Sequence, residues 1–426
     1  MERGGSGGFA AGGGDRVPAC GCPRDGRVSE MDARNTPEKQ SEARRRNLAA
    51  VALTQFGTAF ALNFVNIFLP FYILKVSPYS QRETLLWVGA IVGLTTIFTA
   101  LASPVWGSLT HRYSPKMLYM RGMFTHSLMF FLMAFTTNLH ILLVLRIIQG
   151  IFGGVSTTGM ILISSGASKE QQASNMGVFQ AALTLGPMVG PPLGTFAAAT
   201  LGYRNGFLAG AVFLAVAFIL AQIYVIDMAP LPRPVKKSGK RVLNRRLMIA
   251  WVVCFAAQIQ LSFLPSVLPN VFRKMSIDEP TALKLAGVVV MLYTGSSALG
   301  QFVFTRLSRR IGIMKMIAFV LGMSILSQAV LVLTRGVADF TIVRMIQTGF
   351  AAATIPLIIT LFLDSQSGGT VGFLNASRFT GMAVGPMLAT TVVAFSGLDN
   401  LYLLVSAITL LASLCYLVAE RPEKPS

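Results

Sequence analysis

Apolar residues run unbroken along this chain instead of recurring at every second or every third to fourth position. Residues 85 to 102 read LLWVGAIVGLTTIFTALA, with nothing more polar than threonine on any face. Runs of about 20 residues or more are separated by short polar connectors, which is the length a helix needs to cross roughly 30 Å of hydrocarbon. The alternation of apolar and polar residues over about 10 positions that marks a membrane β-strand is missing. Twelve helical spans are predicted, at 47 to 74, 84 to 107, 116 to 137, 139 to 163, 172 to 199, 203 to 227, 247 to 270, 282 to 306, 315 to 334, 337 to 363, 371 to 397 and 400 to 419. They are numbered 1 to 12 below. The fold class is therefore an all-α membrane protein.

Composition agrees, with 53% hydrophobic and 12% charged residues in 426; a soluble globular chain carries about 25% charged residues. The mean hydropathy is +0.62. An even number of spans puts both tails on one side, and charge says which. Nineteen Lys and Arg fall in the tails and connectors on the side of the long loop after span 6, against seven on the other side. The positive-inside rule places both termini and that loop in the cytoplasm of a multi-pass protein in the inner or plasma membrane. Topology and anionic lipid headgroups thus account for the net charge of +19, and nucleic acid is not an expected partner.

The expected organisation is a disordered cytoplasmic tail at 1 to 46, a first bundle at 47 to 227, a basic linker at 228 to 246, a second bundle at 247 to 420 and a short tail at 421 to 426. The Gly-rich first 40 residues have no apolar core that would mark a signal peptide, and Met31 is a candidate alternative start. Cys20, Cys22, Cys254 and Cys415 show no metal-ligand spacing, so no metal or cofactor is expected. His111, His126 and His140 are scattered and no nucleophile or phosphate loop is evident, so the chain does not read as an enzyme.

An internal repeat divides the spans into two sets of six. Span 4 carries Arg146, Gln149 and Gly150, and 198 residues later span 10 carries Arg344 and Gln347, followed by Thr348 and then Gly349. Gly177, Gly186, Gly190 and Pro191 of span 5 return in span 11 as Gly372, Gly381, Gly385 and Pro386, at an offset of 195. The connector from Gly107 to Ser114 returns at Thr305 to Gly312, again 198 residues on.

On these residues the chain resembles the major facilitator superfamily, and within it the twelve-helix drug:proton antiporter group. The span 4 pattern is complete as Leu142, Arg146, Gln149 and Gly150, and the span 5 antiporter pattern as Gly177, Gly186, Gly190, Pro191 and Gly194, with Thr195 where the last Gly would stand. In the loop after span 2 the sequence departs: Gly107, Leu109, Arg112 and Lys116 fit, but His111 stands in place of the family's Asp and Ser114 in place of its turn Gly. That Asp helps lock the bundles together in the family, and His111 offers no carboxylate in its place. It implies two pseudo-symmetric bundles and a small-molecule substrate moved by alternating access, with protons as a candidate coupling ion and a monomer expected.

Small residues in span 5 let a neighbouring helix approach, while Pro187, Pro191 and Pro192 bend it. Four basic residues, Arg121, Arg146, Arg344 and Arg378, fall inside spans, and every Asp and Glu falls in a tail, a connector or a span end. A buried Arg costs about 2.5 to 3.5 kcal/mol on insertion scales, so it needs a cavity or a partner. Arg121, close to a span end, is expected to snorkel. Arg378 has Leu183 at its repeat position, and that asymmetry points to substrate. Uncharged candidates are Gln55, Asn63 and Asn66 on one face of span 1, Gln258 and Gln260 on span 7, and the repeat pair Gln180 and Asn375. Spans 1, 4, 7 and 10 are expected to line the cavity. Three readings compete: a multidrug-type exporter of small amphipathic or anionic compounds, a transporter of a defined organic anion or lipid-like metabolite, and a membrane sensor or scaffold that has lost transport.

Overall fold

Inside hydrocarbon a backbone N–H or C=O finds no water, so each crossing closes its own hydrogen bonds as helix, and irregular backbone survives only where other groups satisfy it. The computed structural model describes residues 37–164, 169–227, 244–362 and 368–419, and all regular structure among them is helical. Most of the expected first tail, linker residues 228–243, the tail at 421 to 426, and with them Met31, Cys20 and Cys22, lie outside the described residues. The described residues from Arg46 onward belong to one compact unit, and the helical stretch from Pro37 to Arg45 falls outside it.

Helices α1 (Pro37–Asn66) and α2 (Leu69–Val76) make up span 1, α3 (Gln81–Leu109) span 2 and α4 (Pro115–Met133) span 3. Span 4 is broken into α5 (Leu139–Ile151) and α6 (Val155–Ser164). The long α7 (Lys169–Tyr224) holds spans 5 and 6. In the second half, α8 (Arg245–Ser262) and α9 (Leu264–Lys274) form span 7, α10 (Glu279–Ile311) span 8 and α11 (Ile313–Val330) span 9. Span 10 is α12 (Val337–Leu361), and α13 (Gly368–Ala419) holds spans 11 and 12.

Length shows that α7 and α13 each cross twice. Their apolar stretches of 51 and 44 residues would reach about 65 to 75 Å as straight helix, over twice the hydrocarbon thickness. Each turns at one glycine, Gly202 at φ 83° and Gly397 at φ 85°, a left-handed conformation that only glycine adopts cheaply. These two lie 195 residues apart, at the offset of the span 5 and span 11 repeat.

The breaks in spans 1 and 7 also correspond. Span 1 interrupts between Asn66 and Leu69 ahead of Pro70, and span 7 bends by 45° between Ser262 and Leu264 ahead of Pro265. Proline lacks the donor that would continue the ladder, which fixes both bends. One end of the unit carries the turn at 110–114, Asp227, Arg245 and Gly312; it is called the linker end here. The opposite, far end carries the connectors at 77–80 and 275–278 and the turns at Gly202 and Gly397.

Packing in the first bundle centres on rings of spans 1 and 6. Phe60 meets Phe213 edge-on at 5.0 Å, Phe68 meets Phe207 at 5.1 Å and Tyr72 meets Phe207 at 5.2 Å. Lipid tails are as apolar as these side chains, so the gain comes from dispersion and ring geometry, about 0.5 to 1.5 kcal/mol per pair.

Candidate functional site

The two bundles meet like a wedge. At the far end a Cβ on Gly89 of span 2 would overlap the Thr390 hydroxyl and come within 3.3 Å of the Met387 backbone of span 11. At the matching place a Cβ on Gly287 of span 8 would overlap the Thr195 hydroxyl and lie 2.5 Å from Pro192 Cα of span 5. Two turns further along span 8, Gly295 has only Met188 within reach, at 3.9 Å. Toward the linker end, among the described residues, Gly107 approaches only Thr157 of its own bundle and Gly177 approaches nothing within 4 Å. The bundles are closed at the far end and parted at the linker end.

Between them lies a cavity of about 310 Å³. The first bundle supplies Asn63, Asn66, Ile67, Pro70, Val92, Thr95, Thr96, Arg146 and Pro191; the second supplies Gln258, Leu261, Ser262, Pro265, Ser266, Val290, Met382 and Pro386. Both span breaks form its walls, which is where hydrocarbon tolerates irregular backbone. Several polar linings are already engaged: Asn63 Nδ2 donates to Ala59 O at 2.8 Å, Ser262 Oγ to Gln258 O at 2.9 Å and Ser266 Oγ to Phe263 O at 2.7 Å. Their oxygens remain as acceptors. Arg146 is the only charged residue in the described lining.

Arg146 and its repeat partner Arg344 start from the same local geometry. Each donates from Nη1 to the glutamine three residues on, Arg146 to Gln149 Oε1 at 2.9 Å and Arg344 to Gln347 Oε1 at 2.6 Å. Arg344 is then fully enclosed. Its Nη2 donates to Gln260 O at 2.9 Å, Gln347 Nε2 donates to Gln260 Oε1 at 2.8 Å, and Gln260 Nε2 reaches Thr409 at 2.8 Å. Phe263 and Tyr293 cover the guanidinium at 4.7 and 5.1 Å. Span 10 accordingly contributes no residue to the described lining, contrary to the expectation for spans 1, 4, 7 and 10. Arg146 is 3% exposed, yet its Nε and Nη2, and Gln149 Nε2, have no hydrogen-bond partner.

The other polar candidates separate. Gln55 is buried and donates to Ser156 Oγ at 3.0 Å, away from the cavity lining. Gln180, Asn375 and Arg378 lie toward the linker end. Arg378 precedes Met382 and Pro386 by one and two turns, and Gln180 and Asn375 precede Pro191 and Pro386 by three turns, so all three share the cavity face of their helices. Gln180 and Arg378 are solvent-exposed, and Arg378 Nη1 donates to Asn375 Oδ1 at 3.3 Å. They line the open mouth instead of the cavity.

Arg121 does more than snorkel. Span 4 opens between Ile151 and Val155, where Gly154 has φ 89°. Trp106 Nε1 donates to Ile151 O at 2.7 Å, and Arg121 Nη2 donates to Phe152 O and Gly153 O at 3.2 and 3.3 Å. The guanidinium lies over Trp106, 3.1 Å from the ring centre.

The glycine arrays pack within bundles. Gly186 and Gly190 admit the span 1 backbone, with a would-be Cβ 2.7 Å from Phe60 N and 2.6 Å from Phe60 O, and Gly194 sits against Phe64. Gly381 and Gly385 do the same against Gln258 and Ser262 of span 7. Gly372 is in the span 11 helix. Gly150 abuts Thr95 and Phe98 of span 2. Thr195, the departure from the antiporter pattern, fills the hollow that Gly287 leaves. His111 and Arg112 occupy the turn between spans 2 and 3, and Ser114 caps α4 while its hydroxyl donates to Asp227.

The family model described as Major Facilitator Superfamily matches residues 51–346. The chain belongs to the major facilitator superfamily. It is thus a multi-pass membrane protein with that superfamily's transporter fold. Among curated relatives it is similar to the multidrug resistance protein MdtG of Proteus mirabilis, 24% identical over 374 residues, covering 85% of this chain and 93% of the relative. MdtG of Yersinia enterocolitica is 23% identical over 389 residues, covering 89% and 94%. Two solved superfamily structures share the fold. A bacterial homologue of the human lysosomal transporter Spinster, inward-facing and occupied, superposes with a TM-score of 0.72 at 13% identity over 92% of this chain and 100% of the other. The human organic anion transporter MFSD10 superposes at 0.64 with 17% identity over 90% and 100%.

Proposed function

We propose that this chain is a secondary active exporter of small amphipathic compounds that carry an anionic group, working by alternating access between its two bundles. The observation that carries this reading is Arg146: one charged side chain at the junction of the bundles, with two unused donors and no carboxylate in the described cavity lining. Arginine offers a planar fork that fits carboxylate, sulfonate or phosphate, and low dielectric strengthens that attraction. Apolar linings such as Leu261, Val290 and Met382 suit the rest of an amphipathic solute.

The basic connectors put the linker end in the cytoplasm, so the open mouth faces inward and admits a substrate from inside. The multidrug resistance proteins to which the chain is similar favour export over uptake. Protons are the proposed coupling ion. With no carboxylate in the described cavity lining, the candidate proton carriers are His126, buried in span 3, the His111 loop, and the anionic group of the substrate itself.

The test is transport in proteoliposomes, with matched anionic and cationic fluorescent substrates and an imposed pH gradient. Gradient-driven movement of the anionic set, lost in Arg146→Gln, supports the proposal. Cation transport that Arg146→Gln leaves unchanged overturns it. Movement of one anion alone among a broad panel replaces the multidrug reading with that of a dedicated organic anion carrier.

A further inference from the structure

Away from the central cavity, the linker-end parts of spans 3 and 6 enclose a groove of about 410 Å³. Its chemistry changes with depth. Along span 3, Lys116 and Arg121 precede Phe124, and along span 6, Phe218 precedes Gln222 and Asp227. At about 1.5 Å per residue, Phe124 lies roughly 12 Å deeper than Lys116, the distance from a headgroup into acyl chains. Phe124 is 55% exposed at that depth, and Met117, next to Lys116 near the polar end, is 54% exposed.

The polar end has donors to spare. Lys116 Nζ gives one proton to Gln222 O at 2.9 Å and has two more. Arg121 uses Nη2 on the span 4 carbonyls, while its buried Nε and Nη1 have no hydrogen-bond partner. Asp227 accepts from the Ser114 hydroxyl. Two cations therefore face one engaged carboxylate, above an apolar trough.

We infer that this groove binds one anionic phospholipid, with its phosphate held by Lys116 and Arg121 and an acyl chain along Met117, Phe124 and Phe218. A soluble anion has no use for the trough and a zwitterionic lipid has no use for the surplus charge. Basic pockets between helices at the cytoplasmic face commonly serve this chemistry. Occupancy would tie the lipid to the guanidinium that also closes the break in span 4, next to Gly150 and Gln149.

Native mass spectrometry and thermal unfolding of the purified full chain, with phosphatidylglycerol, phosphatidylcholine or inorganic phosphate added, test this. Phosphatidylglycerol should be retained and should raise the melting temperature, and the other two should not. Lys116→Gln should weaken its retention by about fivefold, and so should Met117→Asp, which spoils the trough. An Arg245→Gln, Arg246→Gln double variant, basic but outside the groove, should retain it. Because Arg121 also holds the span 4 break, Arg121→Lys serves as a second probe that keeps the charge, and its retention should fall less than that of Lys116→Gln. Unchanged retention in Lys116→Gln and Met117→Asp overturns the site. Equal protection by phosphate alone, or equal retention of phosphatidylcholine, overturns the assignment to an anionic lipid.

Discussion

Thr195 lays its side chain against the bare backbone of Gly287, and Thr390, 195 residues after Thr195, does the same against Gly89, 198 residues before Gly287. Both contacts join the bundles at the far end, and each threonine is held by its own hydroxyl, donating at 3.0 Å to Pro191 O or Pro386 O. The closed far end is thus a symmetric pair of threonine-in-glycine seats. A transporter that alternates must break both.

Gly287→Val should therefore destabilise the far-closed state. Overpacking a close contact costs about 1 to 3 kcal/mol, and 1.4 kcal/mol is about a tenfold shift in population. With Asn66→Cys as a reporter in the cavity and the native cysteines replaced by serine, labelling by an impermeant thiol reagent from the far side should rise by about tenfold. Unchanged labelling would show that the seat does not govern closure.

A weaker latch lies beside it. Tyr203 Oη donates to Glu279 Oε1 at 3.0 Å, and Arg82 covers the Phe395 ring at 3.7 Å, each pair crossing between bundles. Both are exposed, so each contributes about 0.5 to 1 kcal/mol. Tyr203→Phe should raise the same far-side labelling by only about two- to fivefold. A larger rise than that of Gly287→Val would reverse the assigned order.

Arg378 has a different expected signature. It stands exposed in the mouth, on the face that leads to Met382 and Pro386, where solvent screens its charge. Charge at an entrance acts on association rate more than on equilibrium affinity. Arg378→Gln should raise KM for anionic substrates by about two- to threefold at low salt, and the effect should fade toward 0.5 M salt. A salt-independent loss of tenfold or more would place Arg378 in the binding site itself.

The architecture was legible because the membrane constrains it. Hydrocarbon thickness fixes span length, and the offsets of 195 and 198 pair the halves. The cavity was half legible. Asn63, Asn66, Arg146 and Gln258 do line it, but Thr95, Thr96, Ser262 and Ser266 look like ordinary small residues within a span. Gly89 and Gly287 carry a repeat signal of their own, since they too are 198 residues apart and their threonines 195. Gln55 and Gln260 could not be placed from one helix alone. Their partners Ser156 and Thr409 lie 101 and 149 residues away, and only the tertiary fold selects them.

The sharpest test sets Arg146 against Arg344, since one motif has two fates here. Arg344 makes two hydrogen bonds to Gln347 and Gln260 between two rings, and removing it strands buried partners at about 1 to 3 kcal/mol each. Arg344→Gln should lower the melting temperature and abundance, and whatever protein survives should bind anionic and cationic ligands in the wild-type proportion. Arg146 makes one such bond and keeps two nitrogens unpartnered beside the cavity, so Arg146→Gln strands little within the fold. Its melting temperature without ligand should hold or rise, because an under-satisfied buried charge is gone. Its affinity for an anionic ligand should fall by about tenfold or more, equivalent to about 1.4 kcal/mol, while a cationic ligand binds equally well or better. Calorimetric binding of one anionic and one cationic ligand to both purified variants, with unfolding curves on the same samples, separates the two roles. If Arg146→Gln loses stability and both ligands together, it is scaffold like its partner, and the electropositive cavity is not a substrate site.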